Sequence, residues 1–581
     1  MQQESPEHQL RTVANILYYI REGYYGTASN YCNVKGQPRS DLEHEMTVLK
    51  GVAYILNGKV AEALRVLESV KEGSCGLAAR HALIAAHQLA VNPDKQSIIE
   101  LENDIREVSK KAPDNGVLCA GEVLYLLSQS QKAKTVMEKL IEFENNYPES
   151  RKNPKLLSLL AWIDLALNKE QRSTKQQFEL AAHLGFPDGL VGLSRLCEVH
   201  KSSAEMKAVT KEMIGSFTTF LPGHIERAKA GLIEHDWEAL ITALQNSTMA
   251  LDGENAYISY LNMLYAVCSS ESKIDAALQE LRTALDTTEK DNHKLYHRIS
   301  STLIRCCVRN KPVLVFSKQL LSKAIQLHGS ESYMVEELRL AIAMEDVKEV
   351  ANIAKDLIRS GNTDPFALLG MAISFLMSGK VAEAAEQVEF AQQSYPNLIA
   401  SPVLHFVNGV IAKEKLKNVE MFRKNISDAM TVHKTSLQHV LYGIDYIHDF
   451  DADLLFMIAL QLLDYAPIVP TKNPDDILKL LETVLQQIVD CFPGLSHVVY
   501  TLARVMYLKS ETENAEQILK MCLKRNETVA ETYLLRAQML IDKGQIAEAD
   551  ACLTTGLNFN FAVRESSLYH LIKAKVFQVK I

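Results

Sequence analysis

The chain has 581 residues, of which 47% are hydrophobic and 23% are charged, and this balance predicts a protein that is folded throughout. Its 62 basic and 71 acidic residues give a net charge of −9, which is too mild for this length to indicate a nucleic-acid or membrane-surface partner. The ten cysteines are scattered without a Cys-x-x-Cys pair, which excludes the usual spacing of a disulfide framework or zinc site. We therefore expect protein partners and a reducing compartment.

No targeting or membrane-spanning segment is predicted. The opening residues MQQESPEHQL contain neither a basic region nor an apolar one, and the longest strongly apolar run, LLFMIALQLL at 454–463, is too short to cross a bilayer. We expect a cytosolic chain with no direct membrane insertion.

Paired helices begin at the N-terminus. A helix over Thr12–Glu22 is followed by a second one from about Tyr24, and the turn between them repeats 35 residues later in GVAYILNGKVAEALRVLES at 51–69. Further pairs are predicted over about 77–108 and 116–148. The polar segment NVKGQPRSD at 33–41 is predicted to join the first pair to the second.

The repeat pattern is looser between residues 153 and 330. Helix pairs are predicted at about 155–182, 187–216, 222–247, 254–286 and 292–328. Trp237 follows a turn, where a bulky side chain is expected to wedge between helices as part of the core rather than contact a ligand.

The clearest unit is PFALLGMAISFLMSGKVAEAAEQVEFAQQSYP at 365–396. It has small residues where two helices approach closely, bulky ones where the gap is filled, and Gly379 at the turn, which is the tetratricopeptide pattern. A shorter pair at 331–363 precedes it, and pairs at 397–432 and 436–491 follow. Near the C-terminus, Ala503 and Leu519 recur 34 residues later as Ala537 and Leu553.

This recurrence predicts an all-α fold, a tetratricopeptide-repeat right-handed superhelical solenoid of about 13 to 16 hairpins. We divide it into an N-terminal array, 1–330, that loosens from about 153, and a continuous C-terminal array, 331–581. The helix at 567–581 is expected to begin a further repeat, so that the chain ends mid-repeat with Leu571 and Phe577 on an apolar stripe facing solvent. The proline-rich stretch APIVPTKNPDD at 466–476 is predicted to be a loop between helices 452–465 and 475–490.

Two clusters have the residue types of a metal site. Asp449, Asp451 and Asp453 alternate as in a calcium loop but lack its glycine and its final glutamate, so we interpret them as charges that cap helix 452–465. His293 and His297 lie on one helical face without a third ligand, which is typical of a polar surface stripe. We assign no catalytic, cofactor-binding or metal residue and expect a non-enzymatic protein without cofactors.

The C-terminal quarter carries a family resemblance. DILKLLETVLQQIVDCFPGLSHVVYTLARVMYLKSETENAEQILKMCLKRN, AETYLLRAQMLI and SSLYHLIKAK resemble the tetratricopeptide repeat protein 21 family, as do LYYIREGYYGTASNY and DWEALITAL. The resemblance implies a scaffold or adaptor subunit of intraflagellar transport complex A. It further implies a role in retrograde ciliary transport and ciliary membrane-protein trafficking. The implied partners are the other subunits of that complex, ciliary dynein trains and their cargo, and the implied location is the cilium, at axoneme and basal body, besides the cytoplasm.

Two other classes of function stay open. The first is a cytosolic chaperone-associated tetratricopeptide adaptor that binds peptide tails, which would need a compact basic cluster on adjacent first helices. The second is the targeting arm of a repeat-containing enzyme, whose catalytic domain would have to follow the solenoid. A peptide-binding screen with acidic tails separates the first from a scaffold.

Overall fold

A computed structural model describes residues 6–33, 41–128, 133–146, 152–167, 172–249 and 254–580. Within these ranges the secondary structure is helical and contains no strand, so the predicted all-α class is confirmed. No described helix combines the length and apolar character needed to cross a bilayer. The predicted linker at 33–41 lies almost wholly outside these ranges.

The helices of the first half, in chain order, are α1 Pro6–Arg21, α2 Tyr25–Tyr31, α3 Asp41–Leu56, α4 Val60–Glu68, α5 Gly76–Leu89, α6 Lys95–Val108, α7 Asp114–Ser128, α8 Ala133–Asn146, α9 Pro154–Ala166, α10 Arg172–His183, α11 Asp188–Val199, α12 Ser203–Ser216, α13 Leu221–Ile233, α14 Trp237–Met249, α15 Ala256–Ser269 and α16 Ile274–Thr288. Those of the second half are α17 His293–Cys306, α18 Lys311–Leu327, α19 Glu331–Ala343, α20 Val347–Arg359, α21 Pro365–Met377, α22 Val381–Ser394, α23 Pro402–Glu414, α24 Val419–Ser436, α25 Ile444–Asp449, α26 Ala452–Leu463, α27 Asp476–Cys491, α28 Ser496–Leu508, α29 Thr512–Arg525, α30 Ala530–Asp542, α31 Ile546–Phe559 and α32 Ser567–Lys580. They pair into fifteen hairpins in the described residues, with α25 and α32 unpaired.

The hairpin α21–α22 shows how the sequence forms each unit. Asp364 caps α21 by accepting a hydrogen bond from Phe366 N at 2.8 Å, and Pro365 occupies the first turn, where no backbone donor is needed. Gly379 ends the helix at φ 73°, a left-handed conformation that glycine adopts without strain. Ala384 and Val388 of α22 are buried against α21 as the repeat pattern predicts.

The predicted insertion between α26 and α27 is confirmed. The predicted 466–476 loop separates these helices, and it exposes 93% of Ile468 and 67% of Val469. Its backbone is tied down where Thr471 N donates to Leu508 O at 2.8 Å. Asp475 ends the loop by capping α27.

The helices form two compact units. The first contains Met1–Asn262 and Glu280–Leu295, and the second contains Met263–Gln279 and Tyr296–Ile581. The sequence-based division at residue 330 follows the regularity of the repeats, which is a different criterion, and it stays a prediction.

Candidate functional site

The aspartate cluster is a cap and an ion-pair site. Asp451 accepts a hydrogen bond from Leu454 N at 3.0 Å, so the predicted cap of α26 is confirmed. Its carboxylate also lies 2.8 Å from Arg339 Nη1. Asp453 is buried 3.5 Å from Arg309 Nε, so arginines balance these carboxylates.

His297 of the histidine pair is packed against an aromatic ring and does not lie on the open surface stripe that the sequence indicated. The ring of His297 stacks on Tyr333 with centroids 4.3 Å apart, and burial lowers the pKa of the imidazole. A half-buried neutral ring of this kind is a packing element. Among the described residues no group of three or more His, Cys, Asp or Glu is placed to hold a metal ion.

Trp237 is less buried than predicted. It is half-buried at the start of α14, with the ring of His235 edge-on at 5.8 Å. The deeply buried tryptophan is Trp162, which the sequence analysis did not single out.

The main polar site lies in the first unit, where α1 contacts helices far along the chain. Tyr18 Oη donates to Glu226 Oε1 at 2.9 Å, across 208 residues of sequence. Asn255 Nδ2 donates to Tyr19 Oη at 2.9 Å, across 236 residues. Repeat units normally contact only their neighbours in the array. The surface that binds α1 is instead formed by helices of hairpins far from it in the chain. We call this surface the α1 face. Its polar side chains are Ser158, Trp162, Asp188, Ser194, Arg195, Glu226, Lys229, Asn255, Tyr257, Glu289 and Asn292.

Asp188, at the start of α11, anchors Arg21 of α1. The two side chains form an ion pair with one contact of 3.3 Å and a second, shorter one. Asp188 also accepts hydrogen bonds from Ser158 Oγ at 2.6 Å and Trp162 Nε1 at 2.9 Å. The Arg21 guanidinium lies 4.3 Å from the centre of the Trp162 ring, a cation–π distance. Four contacts thus satisfy a carboxylate that is almost fully buried.

Glu226, on α13, is held in the same way. It accepts from Ser194 Oγ at 2.6 Å and Lys229 Nζ at 2.8 Å as well as from Tyr18. Burial lowers the pKa of Lys229, but surrounding carboxylates more than offset this and hold the pKa above its usual value. Lys229 therefore stays charged inside the protein.

Glu22, which directly follows α1, has the reverse role, because here the acceptor lies on the α1 side of the contact. Its carboxylate accepts from Tyr257 Oη at 2.7 Å and from Arg195 Nη2 at 2.6 Å. The Tyr257 ring in turn stacks on Tyr24, with centroids 4.4 Å apart and an angle of 14° between the planes. The contact is therefore aromatic and ionic together.

Glu289, just before α17, binds the start of α2. Its carboxylate accepts from Gly26 N at 3.0 Å, Thr27 N at 2.8 Å and Thr27 Oγ1 at 2.7 Å. Burial raises the pKa of Glu289 and these donors oppose the rise. A side chain at Gly26 would place its Cβ 1.9 Å from Thr288 O, so only glycine permits this approach.

From the sequence, α1 is predicted as the first helix of a repeat, and no distant partner is predicted for its side chains. The missed signal is LYYIREGYY, in which tyrosines surround an Arg-Glu pair. Buried tyrosine hydroxyls and charges need partners, and in the structure Tyr18, Tyr19 and Glu22 find them on distant helices. The α1 face holds α1 through hydrogen bonds and ion pairs, and the hydroxyls of Ser158 and Ser194 serve to fix its carboxylates.

Family models match most of the chain. The model described as "Tetratricopeptide repeat protein 21 N-terminal ARM repeat" matches residues 16–241, and "Tetratricopeptide repeat protein 21 second ARM domain" matches residues 276–544.

Curated relatives align along nearly the whole chain. The tetratricopeptide repeat protein 21 homolog of Caenorhabditis elegans is 37% identical over 575 residues, which cover 98% of this chain and 43% of that protein. Human tetratricopeptide repeat protein 21B is 27% identical over 581 residues and human 21A is 24% identical over 583, with 98% and 97% of this chain covered. The chain spans 43% of the length of each of these relatives.

Solved helical-repeat structures are similar to this chain only with low TM-scores. The structure described as "Crystal structure of APC/C hetero-tetramer Cut9-Hcn1" gives a TM-score of 0.35 at 12% identity, covering 86% of this chain and 95% of the other. Yeast Tom70 gives 0.34 at 13% identity, covering 74% and 97%.

Proposed function

The chain belongs to the tetratricopeptide repeat protein 21 family, and we propose from this membership that it is a non-enzymatic scaffold subunit of intraflagellar transport complex A. Its task there is to support retrograde, tip-to-base transport in cilia and the trafficking of ciliary membrane proteins. The observation that carries the proposal is the pair of family matches over residues 16–241 and 276–544. The chain spans 43% of the length of its relatives. The role of the whole relatives is therefore only proposed for this chain.

The architecture supports a scaffold. The described residues form helical hairpins, and repeat arrays of this kind act by presenting long surfaces to other proteins. The proposed partners are the other subunits of the complex, dynein trains and their cargo. The proposed location is the cilium, at axoneme and basal body, together with the cytoplasm.

The α1 face argues against the alternative, a chaperone-associated adaptor that binds peptide tails. Such adaptors receive a C-terminal carboxylate on an open face with basic side chains. Here α1 already occupies the first-helix face of α9, α11 and α13, and Asp188, Glu226 and Glu289 are its main acceptors.

The proposal is tested by removing the protein from ciliated cells. We expect returning trains and cargo to accumulate near ciliary tips, and we expect the endogenous protein to co-purify with the other subunits of the complex. Normal return velocity and normal tip composition after complete loss would contradict it. Titration of the purified chain with acidic C-terminal peptides tests the alternative, which requires saturable binding that basic-to-neutral substitutions abolish.

A further inference from the structure

α11 carries a second surface, on the side that faces away from the α1 face. A cavity of about 580 Å³ is lined there by Leu190, Leu193 and Cys197 of α11, with α10 and α12 as its two walls. At 3.6 residues per turn, Asp188 and Arg195, which pair with charges of the α1 region, fall on the opposite side of the same helix. We call this cavity the α11 cleft, and it is separate from the contacts that hold α1.

The wall formed by α12 has its charges sorted. Glu205, Ala208 and Glu212 line the cleft at positions i, i+3 and i+7, which share one side of a helix. The small, exposed side chain of Ala208 keeps the space between the walls open. Lys207 lies on the other side of α12, where its ammonium is 2.9 Å from Glu234. α12 therefore presents carboxylates to the cleft and a lysine away from it.

The opposite wall, α10, adds Lys175, Glu179 and His183 at helical spacing. The Lys175 ammonium lies 3.9 Å from Glu205, and both side chains are more than half exposed, so water weakens this ion pair. Three glutamates and one lysine line the cleft, so its net charge is negative when its histidines are neutral. A cleft of this charge favours a cationic ligand.

We propose that the α11 cleft binds a segment of a partner protein that is rich in arginine and lysine. These side chains combine a long apolar stem with a charged end. Their stems pack against Leu193 and Cys197, and their charged ends reach Glu179 and Glu212 on the two walls. Burial and the Glu205 carboxylate raise the pKa of the Cys197 thiol, which therefore stays neutral and forms part of the apolar floor. The inference goes beyond the proposed role in transport and is tested on the purified chain alone.

The probe is fluorescein-labelled octa-arginine. Its fluorescence anisotropy is followed during titration with the purified chain at about 0.15 M salt, which screens long-range attraction. We expect saturable binding of one peptide per chain. Glu179→Gln with Glu212→Gln keeps the shape of both side chains and removes their charge. This double variant should bind the probe about fivefold more weakly, as expected for the loss of two exposed charge pairs.

A second variant tests the shape of the cleft. Ala208→Trp places a bulky ring between the walls and should weaken binding at least about tenfold, because the ring occupies the space that the ligand needs. Two matched controls lie at exposed positions of α22 in the second unit, Glu383→Gln with Glu386→Gln for charge and Ala382→Trp for shape. Both controls should bind the probe as the wild-type chain does.

Three outcomes would overturn the proposal. Equal weakening by the control pair at Glu383 and Glu386 would show that the probe senses only the overall net charge of −9. Unchanged binding in the chain with Glu179→Gln and Glu212→Gln, or the absence of saturable binding to the wild-type chain, would show that the cleft holds no cationic segment. Melting curves check that each variant stays folded. Because glutamine preserves the shape of glutamate, the charge variant decides the question even if Ala208→Trp disturbs α12.

Discussion

Both units contain ion pairs between elements that lie far apart in the chain. In the first unit charges of both signs face each other, because Asp188 pairs with Arg21 of α1 and Arg195 of α11 pairs with Glu22. In the second unit the repeat helices supply the arginines. Arg339 of α19 pairs with Asp451 across 112 residues, and Arg305 of α17 donates to His448 O at 2.9 Å across 143 residues. Each unit therefore contains a contact that a nearest-neighbour description of repeats leaves out.

The units also differ in the uncharged contacts that lie beside these ion pairs. The first unit adds stacked tyrosines, such as Tyr24 on Tyr257. The second adds a backbone contact, Gly494 N to Cys268 O at 2.7 Å, and the guanidinium of Arg339 lies over Phe366 at 3.4 Å. Buried charges are costly unless fully paired, so in both units the long-range contact is a point where one substitution has a large effect.

The largest expected effect is in the first unit. Asp188→Ala leaves Arg21 without its carboxylate in a buried site and should lower the free energy of unfolding by about 3 to 5 kcal/mol. Hydrogen exchange should report the loss in the first unit. Asp104→Ala, which removes a half-exposed carboxylate from α6, is the control and should change little. Equal loss of protection in the second unit would show that the two units unfold as one.

The matching change in the second unit is Arg339→Met. It removes the ion pair with Asp451 but keeps an unbranched side chain over Phe366, so we expect a loss of about 2 kcal/mol, smaller than for Asp188→Ala. Arg339→Lys should recover only part of the loss, because an ammonium lacks the planar donor geometry of a guanidinium. Urea unfolding of the wild-type, Arg339→Met and Arg339→Lys chains measures these differences in the free energy of unfolding. A loss larger than that of Asp188→Ala would reverse the ranking of the two units.

The pH dependence should also distinguish the units. Burial raises the pKa of Glu122 to about 8 in the first unit, and burial raises the pKa of Asp453 to about 7 in the second. An acid whose folded pKa is raised contributes stability at low pH and loses it as the pH rises from the unfolded pKa to the folded one.

Glu122→Gln should therefore flatten the decline in stability up to about pH 8, and Asp453→Asn the decline up to about pH 7. The measurement is the thermal midpoint between pH 5 and 9, with the exposed Glu62→Gln as control. Unchanged profiles would mean that both carboxylates are ionised across this range.

The smallest effect is expected at α32, outside both polar contacts. Ile572 and Val576 are buried, whereas Leu571 is 52% and Phe577 56% exposed. Leu571→Glu with Phe577→Glu should raise solubility and change the free energy of unfolding by no more than about 0.5 kcal/mol. Static light scattering and a melting curve test this. A clear fall in the melting temperature would show that these side chains are buried in solution.

Repeat chemistry made the hairpins predictable. The 34-residue recurrence of Ala503 and Leu519, the turn at Gly379, and the cap at Asp451 are all local signals, and the structure agrees with them. The insertion was equally clear, because prolines cannot continue a helix.

Long-range pairing was not predictable in the same way. Tyr18, Arg21 and Glu22 fit the local repeat pattern as well as the α1 face, and nothing local identifies partners 167 to 235 residues away. Trp237 was given the core role that belongs to Trp162, because a tryptophan after a turn does not reveal how far the neighbouring helix covers it. Periodicity determines which side of a helix is buried, but not which distant side chain meets it.

The pairing of α2 with Glu289 has a consequence for synthesis. Thr27 leaves the ribosome 262 residues before the carboxylate that it binds. At translation speeds of about 5 to 20 residues per second, α1 and α2 wait roughly 15 to 50 s for that partner. During this delay Tyr18 and Tyr24 lack the ring of Tyr257, on which both stack in the folded unit. The hairpin α1–α2 thus reaches its final contacts only after the helices up to Glu289 have been made.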